Sequence, residues 1–295
     1  MTNLRDLPVL FIDCQTTGAS PQHGQIIELG WAFGRASDSG AVIQTRLIAL
    51  PEGQELPPRI SHLTGITGDD MLQALPAKKV VRELQSISKQ LPVPDAFAIA
   101  HYSRFEETFL NSLFAENGGG SKLPFAFVCT CLIAKKLYPD LPSRAIRALC
   151  GYLGLTLEEE KRSAAHVQAT FFIWQSLVER LDTEGVKTTD ELLPWLAAPL
   201  PKRPKNATYS LPMEKLKRLD LPDSPGIYRM LSLSGKVLYV GKATSLKDRV
   251  NSYFRGRKGK DAKTKELISQ IHDLQVVPLA TPLEAALRET DEIKK

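Results

Sequence analysis

The feature that most restricts how this 295-residue chain can fold is a run of prolines about two thirds of the way along it. Pro194, Pro199, Pro201, Pro204 and Pro212 fall close together and enclose the basic tetrapeptide Lys202-Arg203-Pro204-Lys205. Proline has no backbone donor and biases the residue before it towards extended forms, so such a stretch reads as a linker. The expected organisation is therefore a first domain over residues 1–182, a linker over 183–212 and a smaller domain over 213–295. A short helix is expected within Thr188–Trp195, just before the break.

Charge divides along the same line. Residues 1–182 carry 17 basic and 19 acidic side chains, a net −2, and residues 183–212 carry 4 and 3, a net +1. Residues 213–295 carry 17 and 11, a net +6. A polyanion is thus expected to meet the last third of the chain. No apolar run reaches the length of about 18 residues that a membrane span needs. The N-terminus lacks the basic start and apolar core of a secretory signal. Cys14, Cys129, Cys131 and Cys150 form no Cys-x-x-Cys pair and no zinc spacing, as expected for buried thiols in a reducing compartment. A cytoplasmic protein with no membrane partner is the resulting expectation.

In the first region, Pro8–Asp13 is a short apolar run ending on a carboxylate. Gln25–Phe33 and Ala41–Leu50 have strand composition with a turn between them, so three successive strands predict an antiparallel meander. Helical spacing follows in Val80–Leu91, then a buried strand at Ala96–Ala100. Helices are expected near Arg104–Phe114, Leu132–Leu137, Ser143–Tyr152 and Ser163–Leu181. Strands first, then strands interleaved with helices, predict an α/β (α+β) fold with helices on the faces of a mixed sheet.

The second region reads as a small α+β unit. A helix at Met213–Leu219 precedes strands at Gly226–Leu233 and Lys236–Gly241, joined by a two-residue Ser234-Gly235 turn. Helices are expected at Ser245–Phe254 and Ala262–Leu274, a strand at Gln275–Ala280, and a last helix at Pro282–Lys294 opened by proline.

The second region also collects the residue types that phosphodiester cleavage requires. A tyrosine whose pKa is lowered by cations relays a proton, an arginine forks onto phosphate oxygens, and a carboxylate holds a hydrated Mg²⁺. Tyr228 and Tyr239 sit on adjacent strands, and Lys242 follows the second. On the next helix Leu246, Val250 and Phe254 form the inward stripe, with Arg249 on its flank and Tyr253 at i+4 from Arg249. On the last helix Leu283, Ala286, Leu287 and Ile293 are expected to face inward, with Glu289 at the stripe's edge. Taken singly, hairpin tyrosines are packing residues and a flank arginine or glutamate is solvated. Their order and company point to a site.

Leu221-Pro222-Asp223-Ser224-Pro225-Gly226-Ile227-Tyr228, Gly235 through Ala243 with its Tyr239-Val240-Gly241, and Leu246 through Phe254 together resemble the GIY-YIG nuclease domain of UvrC and its Cho-type relatives. Glu284-Ala285-Ala286-Leu287-Arg288-Glu289 resembles that family's Glu-Ala-Leu-Leu-Leu-Glu segment. The resemblance implies repair-type incision of double-stranded DNA, damaged or structured, with repair or replication proteins as partners. It assigns Tyr228 and Tyr239 to the nucleophile and proton relay. Lys242, Arg249 and Tyr253 surround the phosphate, and Glu289 becomes the single ligand of Mg²⁺ or Mn²⁺. Lys242, Lys247, Arg249, Arg255, Arg257 and Lys258 are the expected nucleic-acid contacts. The family continues past this glutamate to a Pro-x-Tyr-Asn segment, so a C-terminally truncated domain is expected.

Phe11-Ile12-Asp13-Cys14-Gln15-Thr16-Thr17-Gly18, Ile26-Ile27-Glu28-Leu29-Gly30, Ile60 through Thr67 and His101-Tyr102-Ser103-Arg104-Phe105-Glu106 resemble the DnaQ-like (DEDDh-type) 3′–5′ exonucleases, which implies an RNase H-like fold. That family uses four carboxylates, two metal ions and a histidine base. Here Gln15 stands where its glutamate would be, and Glu106 replaces an aspartate. Aligning through Ala169-Thr170 puts Lys161 at the histidine position and His166 at the last aspartate. A second register makes His166 the base and leaves Phe171 at the carboxylate position. Either way a ligand is missing. The expectation is a degenerate site at Asp13, Gln15, Glu106, Lys161 and His166 that holds no metal or one non-standard metal, and a domain retained for DNA or protein contact. A bifunctional exonuclease/endonuclease and a non-catalytic DNA-binding protein are the alternatives.

Overall fold

The computed structural model describes residues 2–157, 161–200, 209, 211–255 and 260–294. It contains two compact units, Met1–Leu137 with Glu158–Leu200, and Tyr138–Leu157 with Pro201–Lys295.

The first unit is built on a five-stranded mixed sheet. Its strands are β1 (Val9–Thr16), β2 (Ile26–Gly34), β3 (Ile43–Leu47), β4 (Phe97–Ala100) and β5 (Ala126–Cys129), in the order β3-β2-β1-β4-β5. The expected meander is present, since β1 pairs with β2 and β2 with β3 in antiparallel fashion. β4 and β5 then add in parallel on the other side of β1. β5 was not expected from sequence, because four residues are too few to establish a period. The helices are α1 (Pro58–Thr64), α2 (Gly68–Met71), α3 (Ala77–Ser88), α4 (Arg104–Glu116), α5 (Thr130–Leu137), α7 (Ser163–Thr183) and α8 (Thr189–Ala197), with α6 (Ile146–Leu153) lying in the second unit. Val80, Val81 and Leu84 of α3 and Phe109, Leu110 and Leu113 of α4 pack on Leu10, Ile12 and Leu29 of the sheet. Phe171 and Trp174 of α7 are buried too, so these two aromatics are core residues, whereas Phe172 is half-buried.

A carboxylate from the sheet anchors the start of α7. Glu28, 1% exposed, accepts from Arg162 Nε at 2.8 Å, Ser163 Oγ at 2.7 Å and the Ser163 backbone N–H at 2.8 Å. The backbone bond satisfies a donor that every helix leaves open at its N-terminus, and the charge complements the helix dipole. This anchoring fixes where His166, in the first turn of α7, can reach.

In the second unit β6 (Gly226–Leu231), β7 (Val237–Ala243) and β8 (Asp273–Pro278) form an antiparallel sheet in the order β7-β6-β8. Its helices, besides α6, are α9 (Lys215–Leu219), α10 (Leu246–Phe254), α11 (Ala262–Gln270) and α12 (Pro282–Ile293). Strand alternation sends Tyr228 and Met230 into a core with Leu246 and Val250 of α10 and Ile271. α6 packs beside α11, where Ser143 N–H donates to Ser269 Oγ at 3.0 Å and His272 Nε2–H to the Gly151 carbonyl at 2.8 Å.

Three expectations for this unit are corrected. The hairpin loop is longer than Ser234-Gly235. Ser232 N–H pairs with the Lys236 carbonyl, Gly235 N–H closes back on the Ser232 carbonyl, and Gly235 takes φ 80°, the three-residue loop with a left-handed glycine. The helix from Ala262 stops at Gln270, and Leu274 belongs to β8. The last helix is inverted relative to its apolar pattern. Leu283, Leu287 and Ile293 are 71%, 64% and 66% exposed, whereas Ala285 is buried and Glu289 and Glu292 face inward. Cationic partners on the sheet explain the inversion. Glu292 pairs with Arg229 of β6 at 2.7 Å and Glu289 with Lys242 of β7 at 2.8 Å. A paired carboxylate can be the inward group where an unpaired one cannot.

Candidate functional site

Each element of the C-terminal site is positioned by a local rule. Ser245 caps α10 by accepting from Asp248 N–H, which points Arg249 and Tyr253 along one face. Thr281 caps α12 by accepting from Glu284 N–H, and the Glu284 carboxylate returns to Ala280 N–H at 3.1 Å. Glu284 is thus a capping residue, and Glu289 one turn on is the carboxylate available to a site.

Three tyrosines form a triangle. Ring centroids of Tyr228, Tyr239 and Tyr253 lie 6.0, 6.2 and 6.2 Å apart. Tyr228 and Tyr253 hydroxyls are 3.0 Å apart, and Arg249 Nη2 lies 3.4 Å from the Tyr253 hydroxyl with its guanidinium over that ring. Tyr228 is fully buried and Tyr239 is 36% exposed. Gly241 packs directly on this triangle. A Cβ there would lie 2.5 Å from the Tyr228 hydroxyl and 2.8 Å from the Tyr239 ring. Gly226 is similarly closed in, by the Val277 carbonyl at 2.4 Å and Leu246 at 2.8 Å. Sequence alone showed these glycines as motif letters. Their packing role is set by the tertiary structure.

The next residue, Lys242, joins the triangle to the carboxylate. Its backbone N–H donates to Glu289 Oε1 at 3.0 Å and its ammonium meets Oε2 at 2.8 Å. Lys242 and Glu289, assigned separately from sequence, are therefore partners. Lys247 and Arg255 are exposed, with Arg255 3.5 Å from Asp248. Arg257 and Lys258 lie outside the described residues, as does the Lys202-Arg203-Pro204-Lys205 stretch.

The electrostatics depart from the expectation of a cation-lowered tyrosine. Burial raises the Tyr228 hydroxyl above the ordinary tyrosine range, while Tyr253 and Arg249 act in the opposite direction without overcoming it. Burial likewise raises Tyr253, and the contact with Tyr253 raises Tyr239. At neutral pH the triangle is thus a set of neutral hydroxyls.

A single hydrated divalent cation suits the donor set at Glu289. Its side chain is 17% exposed, and among the described residues one of its oxygens is held only by a lysine head that is itself half in solvent. Mg²⁺ retains most of its waters and needs one or two carboxylates.

In the first unit Asp13 lies on β1 opposite Gly30, and Glu106 lies in the first turn of α4. Both Asp13 oxygens already accept hydrogen bonds, Oδ1 from His166 Nδ1 at 3.0 Å and Oδ2 from Gln15 Nε2 at 2.9 Å. Lys161 does not join them, its chain lying near Gly65. Burial raises the Asp13 carboxyl despite His166. Glu106, 4% exposed with Oε2 lacking a hydrogen-bond partner, is pushed up to about 9 by burial and then by Asp13. Among the described residues, no group of three or more His, Cys, Asp or Glu side chains is placed to hold a metal ion. A two-cation centre needs concentrated negative charge, and one occupied carboxylate beside an amide and a neutral acid does not fit it.

Glu106 has a measurable consequence. The folded chain keeps a proton that the unfolded chain releases from its ordinary value of 4.5 upward, so its stabilising contribution is full below 4.5 and lost as pH rises through about 9. In chelator-containing buffer the melting temperature should fall as pH is raised across this window, and Glu106→Gln should flatten the slope. An equal slope in the variant would assign the dependence elsewhere.

Two family models match separate stretches of the chain. A family model described as a UvrC-like GIY-YIG domain matches residues 224–295, and the RNase T model, described as exonuclease, matches residues 10–167. A Mycobacterium tuberculosis protein whose name provisionally describes a bifunctional exonuclease/endonuclease is 28% identical over 301 residues, covering 97% of this chain and 43% of its own length. The UvrABC system protein C of Chromohalobacter salexigens is 53% identical over 73 residues, 25% of this chain and 12% of that protein. The chain spans less than half the length of these curated relatives. Among solved structures, E. coli exonuclease I in complex with a dT13 oligonucleotide shares the fold at TM-score 0.51 and 14% identity, over 76% of this chain and 48% of that one. Among the described residues no helix is long and apolar enough to cross a membrane. The chain therefore belongs to the RNase T exonuclease family over residues 10–167 and carries a UvrC-like GIY-YIG domain over residues 224–295.

Proposed function

We propose that this chain incises double-stranded DNA at the GIY-YIG site with a divalent cation, Mg²⁺ or Mn²⁺, on Glu289. The exonuclease fold, taken as residues 1–182, contacts DNA without cutting it. The observation that carries the reading is the pair Gly241-Lys242, whose first residue packs on the tyrosine triangle and whose second bonds Glu289 through its backbone N–H and its ammonium. A cation bound there supplies Lewis-acid stabilisation of the leaving oxygen. Tyr228 takes the proton of the attacking water as it passes its own to Tyr253, and Tyr253 passes its own through the partly exposed Tyr239 to solvent, so that every hydroxyl of the relay ends neutral. Arg249 forks onto phosphate oxygens as charge builds there. Lys242 releases Glu289 and turns to the phosphate. The setting is bacterial cytosol, and the substrate is damaged or structured duplex.

Conversion of supercoiled plasmid to nicked circles in Mg²⁺ tests this directly. Binding without nicking in both Mg²⁺ and Mn²⁺ would remove it and leave a DNA-binding protein. Arg249→Lys should rescue little of the loss in Arg249→Ala, because a point charge lacks the planar fork.

A second reading, a bifunctional exonuclease/endonuclease, is favoured by the M. tuberculosis relative, whose match runs through both units. Release of mononucleotides from a 3′-labelled single strand in Mg²⁺, abolished by Asp13→Ala, would establish it over the non-cleaving reading.

A further inference from the structure

Two carboxylates of α12 face the sheet of the second unit, and a cation from the sheet meets each of them. The two pairs are built differently. Arg229 of β6 sets both Nε and Nη2 on Glu292 Oε2, at 3.0 and 2.7 Å, and these side chains are 21% and 11% exposed. A planar guanidinium held at two points is a fixed anchor. Lys242 of β7 reaches Glu289 with a single ammonium contact at 2.8 Å, and its side chain is 52% exposed. A compact, well-hydrated head on a flexible stem exchanges partners readily. α12 therefore stays seated when the Lys242 ammonium leaves, through Arg229 and through the Thr281 cap.

The two oxygens of Glu289 are occupied in different ways. Oε1 accepts the Lys242 backbone N–H at 3.0 Å, a bond that fixes how the carboxylate is turned. Oε2 is then the oxygen left to coordinate, and among the described residues its partner is the Lys242 ammonium. An ammonium and a divalent cation cannot both sit against that oxygen without strong repulsion. A phosphodiester offers the ammonium an equivalent anionic partner, so the move from carboxylate to phosphate costs little. One side chain thus covers the metal's oxygen and is drawn to the substrate.

We propose that Lys242 is a latch on the metal site: its ammonium closes Glu289 to divalent cations in the free protein, and the phosphate of bound DNA draws it off and opens the site. This rests on reading Glu289 as the cation's anchor, and it adds an order of loading, DNA before metal. By linkage, the factor by which DNA tightens the cation is the factor by which the cation tightens DNA. A chain so built loads its cation where a strand already lies in place.

Mn²⁺ binding to the full chain without DNA, read from the electron paramagnetic resonance of the unbound ion, tests the latch. The part that belongs to Glu289 is the difference from Glu289→Ala. Lys242→Gln should tighten that part about fivefold, the upper end of what a half-exposed ion pair contributes. Lys247→Gln removes an exposed cation from α10 and should stay within about twofold, since salt screens charges that act at a distance. Lys242→Arg should bind no more tightly than wild type, because its fork pairs with the same carboxylate. In a Tyr228→Phe background, chosen to suppress cleavage, a short DNA duplex should tighten Mn²⁺ binding, and adding Lys242→Gln should shrink that gain. Equal Glu289-dependent binding in wild type and Lys242→Gln would overturn the latch, as would its absence from both or an equal tightening by Lys247→Gln. Each of these leaves the metal assignment standing if the duplex still brings Mn²⁺ to Glu289. Mn²⁺ binding unchanged by Glu289→Ala, with and without duplex, would remove the assignment and the latch with it.

Discussion

Glu289→Ala is expected to lower nicking of supercoiled DNA at least about a hundredfold while leaving affinity for DNA within a few-fold of wild type. A bound cation contributes several kcal/mol to the transition state, and each 1.36 kcal/mol is about tenfold in rate. Glu289 is an inward carboxylate of α12, and its partner is Lys242, the residue after Gly241. Removing it takes away the cation's anchor and frees a lysine that itself favours phosphate, so binding is spared and chemistry is not. Tyr228→Phe should behave alike, because it deletes the buried hydroxyl that meets Tyr253 while preserving the ring's packing. Loss in kcat rather than KM is the signature of groups acting in the transition state. Ordinary nicking by Glu289→Ala would remove the carboxylate from the mechanism.

Gly241→Ala is expected to be nearly as damaging although it adds one methyl group. That methyl would start 2.5 Å from the Tyr228 hydroxyl and 2.8 Å from Tyr239. Tyr228 is fully buried and cannot step aside, so β7 must move outward or the ring must tilt. Overpacking of this kind costs about 1–3 kcal/mol. The same displacement shifts Lys242 and its hold on Glu289, and a misplacement of about 1 Å costs on the order of a hundredfold in rate. Urea unfolding should report the first effect and nicking in native buffer the second. A variant that unfolds earlier yet nicks at the wild-type rate would show that the junction is only structural.

Much of the molecule was legible in its sequence. The meander, the helices from Arg104 and Ser163, and the company of Tyr228, Tyr239, Arg249 and Tyr253 all follow from period, caps and motif order. In α12 apolar spacing does not mark the buried face, because Arg229 and Lys242 make the acidic face the inward one. The tyrosines were expected to be acidified by nearby cations, but burial outweighs a single guanidinium.

The sequence by itself determined the mixed sheet and the list of residues that could do chemistry, because these depend on period and residue type over short spans. Only the tertiary structure decided which of those residues meet. It paired Lys242 with Glu289, put His166 and Gln15 on Asp13, and buried Glu106. Whether a carboxylate is available to a metal depends on what else reaches its oxygens and how much water is left around it, and both are supplied by groups far away in the chain.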